Sequence, residues 1–208
     1  MNSSDVLKAA KGELPTSLEQ VEKSAGSNSS ADCADGSLSS LMAHIVEKHH
    51  AYCRQQLDRM EQLLQTAVRT DGERHPELRQ IQSLLAKLGR DLMQHLLKEE
   101  QTLFPMIARM EDAHLRKAAL PRLPFGTIAH PIRMMVLEHD VGGKELEKIR
   151  ELSSGYTVPP DGSESYRVLY QELKEFEEDM QRHVYLEDQQ LFPRAVSLEQ
   201  AKIGNSGS

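Results

Sequence analysis

Two copies of one eleven-residue pattern carry the side chains in this sequence that are best suited to chemistry. His95 and Glu99 belong to the stretch HLLKEEQTLFP, and His183 and Glu187 belong to the related stretch HVYLEDQQLFP, 88 residues later. Residues four apart on an α-helix lie on one face, one turn above the other. Each copy therefore predicts an imidazole and a carboxylate that reach the same small volume.

Each copy is also preceded by another histidine at a matched distance. His50 precedes His95 by 45 residues, and His139 precedes His183 by 44. Each half of the chain thus offers two imidazoles and one carboxylate, which is the ligand count of non-haem iron sites with open positions. Two such sets facing each other would hold a pair of metal ions, with the carboxylates free to bridge. These residue types favour iron over calcium or magnesium, and the absence of ligating cysteine argues against structural zinc.

A single His-x-x-x-Glu sequence usually means only a surface hydrogen bond along a helix. Two copies with matched upstream histidines make that alternative a poor account of this chain. The other histidines lack a matched partner, and four are predicted to be solvated or to surround the site: His44, His49, His114 and His130. His75 stays open as an additional ligand, because it lies where a helix connection could fold over the end of the bundle. Cys53 is predicted to be a small buried side chain.

Four helical segments must position these residues, and they predict an all-α, up-down-up-down four-helix bundle. Their predicted limits are Ser37–Ser40 to about Thr70, Pro76 to about Glu111, Pro131 to before Gly155, and Ser163 to about Pro193. The Leu-Phe-Pro endings of the two patterns are predicted to pack in the core and to end helices. The predicted domains are a flexible polar leader (1–37), the bundle (38–197) and a flexible tail (198–208).

Composition excludes several classes of function. The net charge is −7 and no basic stripe is present, so a nucleic-acid partner is not expected. No apolar run approaches the roughly 20 residues that span a bilayer, and the N-terminus lacks the apolar core of a signal peptide. With only Cys33 and Cys53, a disulfide scaffold is excluded. A cytoplasmic protein is the simplest expectation.

Taken together, these motifs resemble the hemerythrin-like (HHE cation-binding) superfamily and, within it, the iron–sulfur cluster repair di-iron proteins. The resemblance covers roughly residues 38–197. It rests on HIVEKHH (44–50), HLLKEEQTLFPM (95–106), PIRMM (131–135) with EHD (138–140), and HVYLE (183–187) through LFPRA (191–195). It implies two non-haem iron ions, oxo- or hydroxo-bridged, with Glu99 and Glu187 bridging and four terminal histidines: His50, His95, His139 and His183.

The resemblance departs at the front of the chain. Members of the repair family carry a separate N-terminal domain with an adjacent Cys-Cys pair, whereas residues 1–37 here form a polar leader with the single Cys33. The leading interpretation is a di-iron protein that helps to restore iron–sulfur clusters damaged by oxidative or nitrosative stress, with the damaged proteins as partners. One alternative is a module that binds or senses dioxygen or nitric oxide without turnover, and another is an oxidase or reductase. Whether the protein is an enzyme and how it oligomerises stay open.

Overall fold

The computed structural model describes residues 36–203, so nearly all of the predicted leader lies outside the described residues. Within this range the chain forms four long helices. Helix α1 comprises Leu38–His44, Ile45–His50 and Ala51–Asp71. Helix α2 comprises Glu77–Lys98, Glu99–Leu103 and Phe104–Leu115, helix α3 is Ala129–Leu152, and helix α4 comprises Glu164–Tyr185, Leu186–Leu191 and Phe192–Ile203. The middle segments of α1, α2 and α4 are π-helical turns, which widen the helix by one residue.

Serine side chains fix where α1 and α4 begin. Ser37 Oγ accepts a hydrogen bond from the backbone N–H of Ser40, and Ser163 Oγ accepts one from Tyr166. A side-chain oxygen at this position satisfies one of the backbone donors that the first turn of a helix leaves unpaired. The predicted starts of the first and fourth helices are therefore confirmed.

The connections show that the helices alternate in direction. At one end of the bundle, Arg74 after α1 lies 2.8 Å from Asp161 before α4, and Asp71 accepts a hydrogen bond from the Ser163 N–H. At the other end, Glu111 near the end of α2 accepts hydrogen bonds from the backbone at the start of α1. The predicted up-down-up-down bundle is confirmed, and its interior is filled by apolar side chains of all four helices, including Met60, Leu64, Leu85, Leu88, Leu92, Leu146, Ile149, Leu173 and Phe176.

A second pair of acidic residues extends the internal repeat. Glu111 lies 2.6 Å from the Leu38 backbone nitrogen, and Glu199, 88 residues later, lies 3.1 Å from that of Ile128. Each carboxylate thus caps the first turn of the helix that begins its own half of the bundle, where a negative charge is favourable. The two halves are related in their helix ends as well as in their proposed ligands.

Helix α4 continues past Pro193, although the sequence predicts that it ends there and that a flexible tail begins at residue 198. Residues 192–203 are helical, and residues 204–208 lie outside the described residues. Proline normally breaks a helix, because it lacks an N–H and clashes with the preceding turn. Here a π-helical turn immediately precedes the proline, and the same arrangement recurs at Pro105 in α2. The wider turn disturbs the regular hydrogen-bond ladder at that point, which makes a proline tolerable.

None of the described helices has the combination of length and apolar composition that crossing a membrane requires.

Candidate metal centre

The structure brings all six of the predicted ligand residues together inside the bundle, in two overlapping sets. The first ligand set is His50, Glu99, His183 and Glu187, and the second ligand set is His95, Glu99, His139 and Glu187. In each set, one ligand atom from every residue lies within 4.8 Å of the others. Glu99 and Glu187 belong to both sets, as bridging carboxylates would. The role of these residues as ligands stays a prediction.

Glu99 faces one histidine of each set. Its Oε2 lies 3.4 Å from His50 Nε2, and its Oε1 lies 3.5 Å from His95 Nε2. The residue is fully buried, and neither oxygen has a hydrogen-bond partner among the described residues. A buried carboxylate without donors is costly, so its position is explained best by a cation bound next to it.

Glu187 makes the corresponding contacts from α4. Its Oε1 lies 3.1 Å from His183 Nε2, and its Oε2 lies 3.1 Å from His139 Nε2. It is also fully buried. The two glutamates therefore lie between the two pairs of imidazoles and could each contact two ions.

The imidazoles face one another through their Nε2 atoms. These atoms are 3.1 Å apart in His50 and His183, and 3.0 Å apart in His95 and His139. Two imidazole nitrogens this close repel each other through their lone pairs unless they share a proton or a cation binds beside them. With the unpartnered oxygens of Glu99, this donor set fits metal ions that prefer imidazole and carboxylate ligands.

The π-helical turns lie at the ligands themselves. His50 is the last residue of the turn in α1, Glu99 is the first residue of the turn in α2, and Glu187 lies in the turn of α4. Such turns are rare and occur frequently at functional sites. The additional residue of a π-helical turn rotates the following side chains about the helix axis. The candidate ligands and the apolar residues of the next turn can therefore face the core together.

The phenylalanines of the two Leu-Phe-Pro endings cover the imidazoles. Phe104 stacks on His50 with ring centres 5.8 Å apart, and Phe192 stacks on His139 at 6.1 Å. Both phenylalanines are buried, so the predicted core role of these endings is confirmed. Their predicted role in ending helices is wrong, because α2 and α4 both continue past the prolines. Their rings keep water away from two of the candidate ligands.

We call the four candidate histidine ligands the inner histidines. Three of them are contacted at Nδ1 by a carboxylate that belongs to neither ligand set, and we call these three groups the outer carboxylates. Glu100 lies 2.6 Å from His50 Nδ1, and Asp188 lies 3.0 Å from His139 Nδ1. Glu138 lies 2.9 Å from His95 Nδ1. A carboxylate that accepts the Nδ1 proton directs the Nε2 lone pair inward and makes the imidazole a better ligand. These roles were not predicted from the sequence, although Glu100 and Asp188 occupy the same position in the two eleven-residue patterns, which was a signal for two of them.

The fourth inner histidine is different. His183 Nδ1 is buried and has no hydrogen-bond partner among the residues that the structure describes. Its ring instead stacks on His49, with ring centres 5.6 Å apart and planes 11° from parallel. His49 is itself buried, and its Nδ1 lies 3.0 Å from Asp179 Oδ1.

Neighbouring carboxylates raise the pKa of three of the candidate histidine ligands, His50, His95 and His139. Burial alone lowers the pKa of His50, but the nearby carboxylates of Glu187 and Glu99 outweigh it and raise the pKa to about 9. The pKa of His139 rises to about 10, because hydrogen bonds to Asp188 and Glu187 outweigh burial there. Burial raises the pKa of Glu187, yet the neighbouring imidazoles hold it well below its usual range. Protons therefore occupy the imidazoles of His50 and His139 at neutral pH in the metal-free protein, and a metal ion must displace them.

The remaining candidates lie apart from both ligand sets. His75 contacts Asp161 and Glu77 at the end of the bundle where α1 turns into α2. Residues 50 to 71 of α1 separate the ligand sets from that turn, roughly 30 Å of helix at 1.5 Å per residue. Cys53 is buried with its Sγ 3.4 Å from Met180 Sδ, as a small core side chain would be. His114 and His130 are exposed, as predicted.

Comparisons with known proteins agree with this geometry. The family described as "Hemerythrin HHE cation binding domain" matches residues 41–195. A "Probable iron-sulfur cluster repair protein" of Haemophilus influenzae is 31% identical over 185 residues, which cover 89% of this chain and 77% of that protein. "Iron-sulfur cluster repair protein YtfE" of Yersinia pseudotuberculosis is 32% identical over 169 residues, covering 81% and 71%.

The protein of the same name from Pectobacterium atrosepticum is 32% identical over 179 residues, which cover 85% of this chain and 75% of that protein. The match of the family extends over all six candidate ligands, from His50 to Glu187. The chain therefore belongs to the hemerythrin HHE cation-binding family.

Proposed function

We propose that this protein is a non-haem di-iron protein that takes part in the repair of iron–sulfur clusters damaged by oxidative or nitrosative stress. The observation that carries the proposal is the pair of ligand sets that share Glu99 and Glu187 inside the bundle. The names of the similar proteins support the repair role. Damaged iron–sulfur proteins are the proposed partners.

The donor chemistry supports iron as the metal. Each set offers two imidazoles and two shared carboxylates, and Cys53, the one cysteine among the described residues, packs against Met180 instead of reaching a set. Such a mixture suits iron and leaves coordination positions open, whereas structural zinc favours four closed ligands, often including thiolates. Bound iron would supply exchangeable coordination positions, which suit either the release of iron to a client or the binding of a diatomic molecule.

The residues of the chain have separable tasks in this proposal. His50, His95, His139 and His183 would hold the two ions as terminal ligands, and Glu99 and Glu187 would bridge them. The outer carboxylates Glu100, Glu138 and Asp188 keep the Nδ1 proton of three histidines and leave Nε2 free for the metal. Phe104 and Phe192 limit the access of water.

An iron-transfer assay tests the proposal. The full-length protein, purified without oxygen, should contain about two iron atoms per chain, one for each ligand set. It should then restore the absorbance of an iron–sulfur protein whose cluster has been damaged by nitric oxide. The reaction mixture already contains the sulfide that the cluster needs. A matched control supplies the same amount of free ferrous iron in the presence of a weak chelator.

Faster recovery with the loaded protein than with the control supports repair. If the protein binds nitric oxide or dioxygen with a clear spectral change but transfers no iron, the repair proposal is wrong and the gas-binding alternative replaces it. If elemental analysis finds one zinc ion and no iron, both are wrong.

A further inference from the structure

A fourth pair of a carboxylate and an imidazole Nδ1 lies at the interface between α1 and α4, and neither of its residues belongs to a ligand set. His49 Nδ1 lies 3.0 and 3.1 Å from the two carboxylate oxygens of Asp179. This is the same arrangement that holds His50, His95 and His139 with their Nε2 atoms directed at the centre. Among the described residues, all the hydrogen bonds of His49 are made through Nδ1. Its Nε2 is therefore free to act as a ligand.

The pair lies directly against His183, the one candidate histidine ligand that no carboxylate of residues 36–203 contacts at Nδ1. The His49 ring is stacked on His183, which is 1% exposed and whose Nδ1 has no partner among the described residues. A carboxylate on Nδ1 restrains the rotation of each of the other three inner rings. The His183 ring lacks that restraint, so it is the inner ligand that can turn at the smallest cost in hydrogen bonds.

Partly exposed groups continue this row of side chains towards the surface. The side chain of Asp179 is 18% exposed, compared with 10% for His49. His44, one turn earlier on α1 and half-buried, packs edge-on against His49 with ring centres 5.8 Å apart. Imidazole and carboxylate groups are thus arranged in steps of less than 6 Å from the bundle surface to His183.

The charge of Asp179 is also less compensated than that of two of the other outer carboxylates. Glu100 pairs with Arg54, and Glu138 pairs with Lys98. Asp179 forms no ion pair with a lysine or arginine within residues 36–203. A carboxylate without a fixed positive partner is available to a passing cation.

The internal repeat shows that an imidazole at the position of His49 occurs in only one half of the bundle. His49 directly precedes His50 as Glu138 directly precedes His139, so the two residues occupy matched positions. Glu138 holds His95 at Nδ1, whereas His49 leaves His183 Nδ1 without a hydrogen bond to the described part of the chain and brings an additional imidazole. If the residue at this position served only to hold a candidate ligand, a carboxylate such as that of Glu138 would be enough in both halves.

We propose that His49, supported by Asp179 and preceded by His44, forms a transit site through which a ferrous ion passes between solvent and the first ligand set. In this proposal the His49 Nε2 binds the ion briefly while His183 turns. No bond other than coordination bonds is made or broken, and the iron keeps its oxidation state. The proposal rests on the proposed function, because it requires that iron occupies the centre.

Rates of iron uptake and release test the transit site. Full-length metal-free protein is mixed without oxygen with ferrous iron, and the loaded protein is later mixed with an excess of a ferrous chelator. His49→Phe keeps a flat ring against His183 but removes the nitrogen ligand. We expect both rates to fall by about tenfold, the lower end of what outer groups at metal sites contribute. The final iron content and the dissociation constant should stay at the wild-type values, because both rates fall together.

A second variant and a matched control make the result decisive. Asp179→Asn should also slow both rates, and circular dichroism checks that each variant is folded. Glu138→Gln changes the matched position in the other half, and there we expect faster release with weaker binding. If His49→Phe and Asp179→Asn load at the wild-type rate, or release iron faster as Glu138→Gln does, the transit site is wrong and His49 merely supports His183. Those results leave the di-iron proposal intact, whereas a wild-type protein that takes up no ferrous iron overturns both proposals.

Discussion

The two ligand sets are related by the internal repeat, yet their surroundings differ. In the second ligand set both histidines are held at Nδ1 by carboxylates, His95 by Glu138 and His139 by Asp188. In the first ligand set only His50 is held in this way, by Glu100. His183 packs instead against another imidazole.

This difference predicts that the two metal positions are not equivalent. A histidine that donates its Nδ1 proton to a carboxylate is a stronger and better oriented ligand than one that does not. The second ligand set should therefore hold its ion more tightly, and the first should exchange its ion more readily. In this proposal the repeat would supply the same ligands twice, and residues outside the ligand sets would make one ion exchange faster than the other.

Removal of a shared carboxylate should have the largest effect, because Glu99 and Glu187 belong to both sets. We expect Glu99→Ala and Glu187→Ala to reduce the iron content from about two atoms per chain to less than one. His114→Ala changes an exposed histidine and serves as the control. The content is measured by elemental analysis after gel filtration. Full iron content with an unchanged absorption spectrum in both glutamate variants would show that neither bridges the ions.

Removal of a histidine from one set should affect mainly that set. His183→Ala and His139→Ala should each retain about one iron atom per chain, bound by the set that remains complete. The remaining ion should dissociate more slowly in His183→Ala, because the second ligand set is then the intact one. Chelator competition measures both rates. Equal rates in the two variants would contradict the inequivalence of the two positions.

The sequence alone was sufficient to predict the fold and the meeting of the six candidate ligand residues. Ser37 and Ser163 cap helices where predicted, because capping depends on one side chain and its own next turn. The spacing of His95 with Glu99 and of His183 with Glu187 could be predicted because it is a property of one helix. Their meeting with His50 and His139 could be predicted because the repeat implies a matched pair of halves.

The features that the sequence did not predict depend on contacts between helices. The role of Glu138 requires that α3 bring it to His95 on α2, and that of Asp179 requires that α4 bring it to His49 on α1. The π-helical turns were not predicted either, because the spacing of apolar residues in the sequence does not distinguish a short π-helical turn from α-helix. The continuation of α4 past Pro193 was missed for this reason, since the rule for proline applies to a regular helix.

Changes in the outer carboxylates should have intermediate effects and should differ between the sets. Asp188→Asn and Glu100→Gln remove matched groups, one behind His139 and one behind His50. Each should weaken the binding of one ion by about 10- to 100-fold while leaving the other ion in place. Competition with a chelator of known affinity gives the two dissociation constants. If both variants weaken both ions equally, the outer groups do not act on separate sets.

The metal-free protein should lose stability as the pH rises above neutral. The pKa values of His50 and His139 are raised in the fold to about 9 and about 10, compared with about 6.5 in an unfolded chain. Their contribution is therefore complete below about pH 6.5 and is lost as the pH rises through the two raised values. We expect the free energy of unfolding to fall by several kcal/mol between pH 7 and pH 10, because each pKa unit corresponds to about 1.4 kcal/mol and both groups titrate across this range.

Urea unfolding at several pH values measures this loss, and the iron-loaded protein is the control, because there the ions replace the protons. Titration followed by nuclear magnetic resonance should find that His50 and His139, one in each set, both release their protons well above pH 6.5. A stability that is constant from pH 7 to pH 10 in the metal-free protein would contradict the raised pKa values.

The smallest effect is expected from Cys33, because the inequivalence of the two sets is attributed to residues that lie between His44 and Asp188. Cys33 lies outside the described residues and outside the range in which all six candidate ligands occur. Its neighbours in sequence include Asp32 and Asp35 but no lysine, arginine or histidine that would favour the reactive thiolate. Cys33→Ser in the full-length chain should therefore leave the iron content, both dissociation rates and the rate of iron transfer to a damaged cluster protein unchanged. The transfer assay with wild type and variant side by side is the measurement.

If the transfer rate collapses while the spectrum and the dissociation rates stay the same, delivery uses the thiol of Cys33. The difference between the two ligand sets would then not by itself account for the release of iron to a client.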